Sequence, residues 1–268
     1  MATPVIPRLY VEAPARPARH GGLLSVAKPI PMADRHGQFG VQYLPDGCDV
    51  AEFAPGLCNA VPALAGIEPK TFGDIPVIQS LPFGLYTGIE CFTDESSDYE
   101  DRAKRALDQS ETYGVERALD LSVFQADPAD TGVIVVSGTY NIAHAIGELE
   151  QRLGASYPGL PMIHMTRRAA ALAGGAVMAF PGADFTLATI QGTPIANGSG
   201  YSGTVGPDST DADAGSEWLY GTGLVSVFRG ADIKTSTYDL EHNKRMALAE
   251  RIYSVTVECV IFAIQATI

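Results

Sequence analysis

The sequence predicts an α+β subunit whose N-terminal third is extended and whose remaining length carries the core. Three observations predict it. Residues 1–40 hold six prolines and no helical or strand period longer than a few residues. Residues 94–120, DESSDYEDRAKRALDQSETYGVERALD, have the pattern of one long charged helix with a narrow apolar stripe. Residues 128–268 alternate apolar, β-branched runs with Gly/Ser/Asp loops.

Composition bounds the rest. At 268 residues the chain has ample core for one large domain or two smaller ones. Hydrophobic content of 46% and charged content of 18% are those of a globular protein, and 28 Gly with 18 Pro favour strands and turns over a helix bundle. No apolar run is long enough for a transmembrane helix, and the N-terminal prolines would break the apolar core of a signal peptide. Cys48, Cys58, Cys91 and Cys259 are too few and too scattered for a disulfide scaffold, so a reduced, cytoplasmic site of synthesis is expected. A net charge of −13 argues against DNA as a ligand, because tight binding needs clustered Lys and Arg. It leaves DNA open as enclosed contents.

The Pro-rich arm cannot build a core of its own, so its expected support is a neighbouring copy of the chain. Arg8, Arg16, Arg19, Lys28 and Arg35 against Glu12 and Asp34 give it a net charge of +3. Residues 41–99 carry nine carboxylates and only Lys70, a net of −8. That asymmetry suits subunits that lace together.

After the arm, FGVQYL (Phe39–Leu44) alternates and stops at Pro45-Asp46-Gly47. VIQSLPFGLYTGIECF (Val77–Phe92) supplies a second extended stretch, interrupted by Pro82 and Gly84. A long hairpin so poor in core residues is marginal alone and needs a surface to lie on.

The helix that follows has capping-box spacing at Ser97 and Glu100, and acids where its dipole favours them. Spacing pairs Glu100 with Lys104 and Asp101 with Arg105. Its stripe is Tyr99, Ala103, Ala106, Leu107, Ser110 and Tyr113, and Gly114 is a candidate bend. The helix is expected to be mostly solvated.

GVIVVSG (Gly132–Gly138) reads as a short buried run. NIAHAIGELEQRLGA (Asn141–Ala155) returns to helical spacing, with Ile142, Ile146, Leu149 and Leu153 on one face. PMIHM (Pro161–Met165) is a strand leading into a short helix capped by Thr166 and stopped at Gly174. The loop Asn197–Glu217 is flexible in composition. MALAERIYSVTVECVIFAIQAT is a buried terminal strand or strand pair.

Candidate chemistry is thin. GSGYSG (Gly198–Gly203) superficially resembles a phosphate loop, but no Gly-Lys-Ser/Thr follows it. Cys48 and Cys58 with His36 match no zinc spacing. His144 and His164 read as core or interface residues, with no nucleophile elbow nearby. Glu148 and Glu150, two apart on a helix, face different directions. Arg167 and Arg168 suit a surface or subunit contact. No catalytic, metal or cofactor site is expected, and the chain does not read as an enzyme.

The order of elements resembles the HK97-like major capsid proteins of tailed bacteriophages. Met1–Gln38 resembles that family's N-terminal arm, Phe39–Phe92 its E-loop hairpin, and Thr93–Gln125 its spine helix. GELEQRLGASYPGLPMIHMTRRAAALAGG looks like the helix, strand and helix of the axial domain. TLATIQGTPIANGSG resembles its common strand with a Gly-Thr-Pro turn, and NKRMALAERIYSVTVECVIFAIQAT the C-terminal strands. The resemblance implies an arm at 1–38, an E-loop at 39–92, and a spine helix with the first part of a peripheral domain at 93–127. It further implies an axial domain at about 128–235 and C-terminal strands returning to the peripheral domain at 236–268.

The function so implied is a structural capsid protein of the virion, made in the host cytoplasm. It self-assembles into pentamers and hexamers of an icosahedral phage head around double-stranded DNA, without sequence-specific binding and without a membrane. Scaffolding, portal and decoration proteins are the further partners. No room is left before the arm for the scaffolding segment of many relatives, so scaffolding is expected to be separate or unnecessary. Lys70 is the one E-loop lysine for a cross-link of the kind some relatives make. The alternatives are an encapsulin-type compartment shell and, from a different class, a soluble Cys/His-dependent hydrolase. Candidate inter-subunit contacts are Arg8, Arg16 and Arg19 with Asp46, Asp49 and Glu52 of the E-loop, or with Asp94, Glu95 and Asp98 at the spine start. The competing view is that these arginines only keep a proline-rich tail soluble.

Overall fold

A computed structural model describes residues 16, 20–32, 39–51, 75–92, 98–179, 186–242 and 244–268. Its elements are, in order, α1 (Leu23–Val26), β1 (Ile30–Pro31), β2 (Val41–Tyr43), β3 (Ile78–Ser80), β4 (Phe83–Phe92) and α2 (Tyr99–Leu119). A turn of π-helix (Asp120–Phe124) leads to α3 (Pro128–Thr131), β5 (Val133–Asn141), α4 (Ile142–Ser156), β6 (Met162–Thr166), α5 (Arg167–Leu172) and β7 (Val177–Ala179). The chain continues through β8 (Leu187–Thr189), β9 (Pro194–Gly198), β10 (Ser216–Thr222), β11 (Val225–Arg229), β12 (Ile233–Asp239), β13 (Lys244–Val257) and β14 (Ile261–Thr267).

Two sheets organise these elements. In the first, β13 is the central strand: one edge pairs with β4 from Lys244↔Phe92 to Tyr253↔Phe83. Its other edge pairs first with β12 and then with β11, which also holds β1 in parallel. The second sheet runs β5-β14-β10-β6-β9-β8-β7. The terminal segment is a strand pair, β13 and β14, whose members belong to different sheets. Cys259 makes the corner between them at a φ of 64°.

Period-two alternation on β13 sets the helix packing. Ala247 and Ala249 are buried on the face that meets Tyr99, Ala103 and Leu107 of α2. Small side chains there let the helix approach closely. Burying a leucine such as Leu107 contributes about 1.5–3 kcal/mol. The stripe holds at Tyr99, Ala103 and Leu107, but then shifts to Glu111, Val115 and Leu119, leaving Ser110 and Tyr113 exposed. Helix α2 runs uninterrupted through Gly114, where Leu85 sits so close that an added Cβ would lie 2.6 Å from its Cδ1. Gly114 is a packing site rather than a bend.

The expected pairs on α2 are replaced, because β12 crosses its N-terminal part and supplies partners. Glu100 accepts from Ser236 Oγ at 2.6 Å, and Asp101 pairs with Lys234 at 3.0 Å. Lys104 pairs with Asp108 at 2.7 Å and Asp232 at 3.3 Å, and Arg105 with Asp98 at 3.1 Å. Ser97 lies outside the described residues, and Asp98 takes the N-cap position without a side-chain cap. A helix flanked in this way is not mostly solvated.

On the second sheet, α4 packs Ile146, Leu149 and Leu153 into the core, with Asn141 accepting from His144 N–H at 3.0 Å. Thr166 caps α5 by accepting from Ala169 N–H at 3.0 Å. The Gly-Thr-Pro segment makes a tight turn between β8 and β9, with Gly192 at a φ of 95°. β5 differs from expectation: it is an edge strand in which Val133 and Val136 are buried while Ile134 and Val135 are half-exposed.

The hairpin pairs only Val41–Tyr43 with Ile78–Ser80 among the described residues, and the chain breaks at Leu81-Pro82 before β4 joins the first sheet. Residues ahead of 93 make no hydrophobic cluster of their own among the described residues. Leu23 and Ala27 instead join a core built by α2, β10, β11 and β13.

Candidate functional site

The described end of the arm docks on its own subunit. Beyond Leu107, the buried face of α2 and the π-helical turn that follows it carries carboxylates at Glu111, Glu116 and Asp120, and each has a separate set of donors.

Glu116 forms the seat. Its Oε1 accepts from Leu23 N–H at 2.9 Å and its Oε2 from Gly200 N–H at 2.9 Å. Asn197 Oδ1 accepts from Gly22 N–H at 3.3 Å, and Arg167 Nη1 donates to His20 O at 2.9 Å. The backbone comes this close because three positions lack a Cβ. A Cβ on Gly22 would fall 2.4 Å from Glu116 Oε1, one on Gly198 2.3 Å from its Cδ, and one on Gly200 2.5 Å from Tyr113 O. The glycine-rich loop therefore wraps an anion, but the anion is a carboxylate of the same chain. The loop is packed, with Gly198, Gly200, Tyr201 and Gly203 buried. Burial raises the Glu116 pKa, and the N–H groups of Gly200 and Leu23 work against that rise. Further along the arm, β1 pairs with Phe228–Arg229 and Met32 N–H donates to Arg229 O at 2.8 Å.

Asp120 lies beneath the seat with no exposure. Its Oδ2 accepts from Ser202 N–H at 3.1 Å and Arg117 Nη1 at 3.0 Å, while Oδ1 is buried without a hydrogen-bond partner among the described residues. Burial pushes this carboxyl up to about 6, against the pull of Ser202 and Arg117. Close by, His164 is fully buried between Tyr201 OH and Thr222 Oγ1, each at 3.0 Å, with Phe124 edge-on at 5.1 Å. Burial pushes its pKa down to about 3. It is a core histidine, whereas His144 is exposed.

Glu111 belongs to a third group, centred on Arg251. This guanidinium, only 1% exposed, donates to Glu111 at 2.8 Å, Asp232 at 2.6 Å, Asp108 at 2.8 Å and Tyr253 OH at 3.2 Å. Burial works against its charge, but the Asp108, Tyr253 and Asp232 hydrogen bonds hold it protonated. The network ties α2 to β13. Its signal in the sequence is an arginine in register with Ala247, Ala249 and Tyr253 on the inward face of a strand.

The sequence-predicted contact residues fare differently. Arg8, Arg19, Glu52, Asp94 and Glu95 lie outside the described residues, as do Lys70, His36 and Cys58. Arg16 is exposed and lines a cleft of about 250 Å³ with Asp108, Thr112, Glu116, Arg167 and Ser199. None of Asp46, Asp49 and Asp98 borders that cleft. Asp46 and Asp49 are exposed on the hairpin, and Asp98 is paired within α2 to Arg102 at 2.8 Å and Arg105 at 3.1 Å. Arg168 pairs with Glu217 at 3.4 Å. Glu148 pairs with Arg152, while Glu150 accepts from Thr193 Oγ1 at 2.9 Å, so the two glutamates do face apart.

Sequence spacing missed one covalent link: Cys48 is bonded to Cys259, with Cα atoms 5.3 Å apart across 211 residues of sequence. Among the described residues there is no cluster of His, Cys, Asp and Glu fit for a metal ion, and no helix long and apolar enough to cross a membrane.

No protein-family model matches the sequence, and no curated protein does. Solved structures do match. The capsid of a native GTA particle is similar at 13% identity and a TM-score of 0.58, covering 98% of this chain and 96% of that one. The capsid of the empty GTA particle gives 13% identity and a TM-score of 0.56, with the same coverage. A chain of Mycobacterium phage Cain gives 10% identity and 0.51, covering 93% and 91%. Identities this low speak for fold alone. Matched along nearly its whole length, the chain has the HK97-like capsid fold.

Proposed function

We propose that this protein is the major capsid protein of a tailed bacteriophage head. It assembles as pentamers and hexamers into an icosahedral shell that encloses double-stranded DNA. One observation carries the reading: the fold likeness to a capsid subunit extends over 98% of the chain. The chemistry is compatible, because the buried polar groups at the arm seat and around Arg251 are taken up in tying elements together. Closed shells need repeated, individually modest interfaces, and a core-poor hairpin with exposed Leu44, Ile75 and Leu81 offers apolar contact area to a neighbour.

In this reading the subunit is synthesised in the host cytoplasm and ends in the virion. Scaffolding, portal and decoration proteins are its accessory partners, and its role is structural rather than enzymatic. The arm arginines Arg8, Arg16 and Arg19 meet acidic surface on an adjacent subunit, at Asp46, Asp49 and Glu52 or at Asp94, Glu95 and Asp98.

The test is the content of particles purified from infected cells and treated with nuclease. Protected double-stranded DNA supports the reading. A packaged enzyme in place of DNA assigns the shell to a compartment, and a stable monomer with substrate-dependent activity overturns it.

A further inference from the structure

The described part of the hairpin has little to hold it. Its two strands share three rungs, and Leu44, Ile75 and Leu81 are more than half exposed. Its polar contacts with the body converge on one place. Tyr43 OH donates to Glu258 Oε1 at 2.8 Å and lies 3.1 Å from Thr256 Oγ1, and the Cys48–Cys259 bond lands on the next residue of that segment.

That landing point is a fixed corner of the fold. Glu258 N–H donates to Leu224 O at 2.9 Å, Val260 N–H to Glu258 O at 2.8 Å, and Gly223 N–H to Val260 O at 3.1 Å. Here β13 leaves one sheet and β14 enters the other. Cys259 holds a φ of 64°, a region that glycine occupies without penalty and a Cβ-bearing residue does not. The backbone alone favours glycine there, so the thiol accounts for a cysteine at this corner.

We propose that Cys48 and Cys259 form a redox-set staple, which pins the root of the hairpin to the junction of the two sheets when oxidised and frees it when reduced. On closure, one thiolate attacks a small-molecule disulfide and expels one thiol. The second thiolate then displaces the other half from the mixed disulfide. Two protons and two electrons pass from the protein to the oxidant, and an excess of thiol reverses both steps. In the open form the Tyr43 hydrogen bonds and ring packing are the polar and aromatic contacts left at the root among the described residues, so the hairpin can be repositioned. The inference rests on the shell reading in one respect: the hairpin is the element that reaches a neighbouring subunit. Shells then assemble with the staple open in reducing surroundings, and it closes after release.

The experiment uses the full chain, equilibrated in glutathione disulfide or in dithiothreitol, unfolded, alkylated with iodoacetamide and mapped by mass spectrometry. Of the four cysteines, Cys48 and Cys259 are expected to escape alkylation after oxidation, recovered as one cross-linked peptide, and all four to be labelled after reduction. Amide exchange over residues 39–51 and 75–82 should be about tenfold slower in the oxidised protein. Cys48→Ser, and Cys259→Gly, which suits the corner's backbone, should both exchange at the reduced rate in either buffer. Full labelling after oxidation, pairing of Cys48 with another cysteine, or equal exchange in wild type and both variants overturns the staple. Electron microscopy of the same samples separates the two claims. Subunits that bond on oxidation but form no shells in either buffer keep the staple and overturn the shell reading, whereas shells that lack the bond after oxidation do the reverse.

Discussion

The backbone N–H of Leu23 donates to the carboxylate of Glu116 at 2.9 Å, joining residues 93 apart in sequence. The same carboxylate takes Gly200 N–H, so one side chain of α2 holds both the arm and the glycine loop. Replacing it by alanine leaves two buried donors unsatisfied. Glu116→Ala should cost about 2–4 kcal/mol in urea unfolding and speed amide exchange at residues 22–24. Glu116→Gln should cost less, since its amide oxygen still accepts one of the two bonds. A Glu116→Ala protein as stable as wild type would contradict the seat.

Arg251 is the buried cation that Glu111, Asp108 and Asp232 share, while Arg229 also reaches Glu111 at 3.1 Å and Lys104 reaches Asp232 at 3.3 Å. Removing it takes the one fully buried positive charge of this network away from them. Arg251→Met should destabilise the subunit by about 3–5 kcal/mol in denaturant titration. Arg251→Lys should lose much of that as well, because an ammonium does not span the fork that reaches Asp108, Glu111 and Asp232 together. A Lys variant as stable as wild type would argue that charge alone matters.

Asp120, pushed up to about 6 from an ordinary 3.8, keeps its proton in the fold over a range where the unfolded chain has lost it. Its contribution is therefore fully present below the unfolded value and is lost as pH rises through about 6. His164, pushed down to about 3, runs the other way, losing stability as pH falls below its unfolded value. The two oppose each other between about pH 4 and 6. Comparing wild type with Asp120→Asn isolates the first. Going from pH 7 to pH 4, wild type should gain about 2–3 kcal/mol relative to the variant, read from paired urea titrations. A constant difference across that range would show that Asp120 does not hold a proton.

Sequence periodicity carried much of the fold. The helix at Ile142–Ser156, the cap at Thr166, the break at Pro82 and the turn at Gly192 each follow from local rules, because the physics that sets them lies within a few residues. Long-range partners were not legible in the same way. Glu100 and Asp101 have well-placed cations one turn away, yet β12 supplies Ser236 and Lys234 instead. Glu116 reads as a surface acid until Gly22, Gly198 and Gly200 are brought around it, and 211 residues separate the bonded cysteines. The arm looked to need a neighbour for support, but Leu23 is buried in its own subunit's core.

That anchor makes the arm's outer part separable. Deleting residues 2–19 leaves His20, Gly22 and Leu23 in place, so the subunit should fold with unchanged stability. Shells of the truncated protein should be fewer and dissociate more readily. Under the proposed arm contacts each exposed ion pair would contribute only about 0–1 kcal/mol, but such pairs would recur at every interface, so salt should weaken assembly rather than folding. Truncated subunits that assemble normally and resist heat equally well would assign Arg8, Arg16 and Arg19 to solubility alone.

The central claim is that this chain closes into shells. Electron microscopy of the purified full-length protein tests it most directly. The account predicts closed particles of uniform size with five-fold vertices, in which the hairpin at residues 39–51 and 75–82 lies over an adjacent subunit. A monodisperse field of single subunits or dimers, under conditions where the chain is folded, would contradict it.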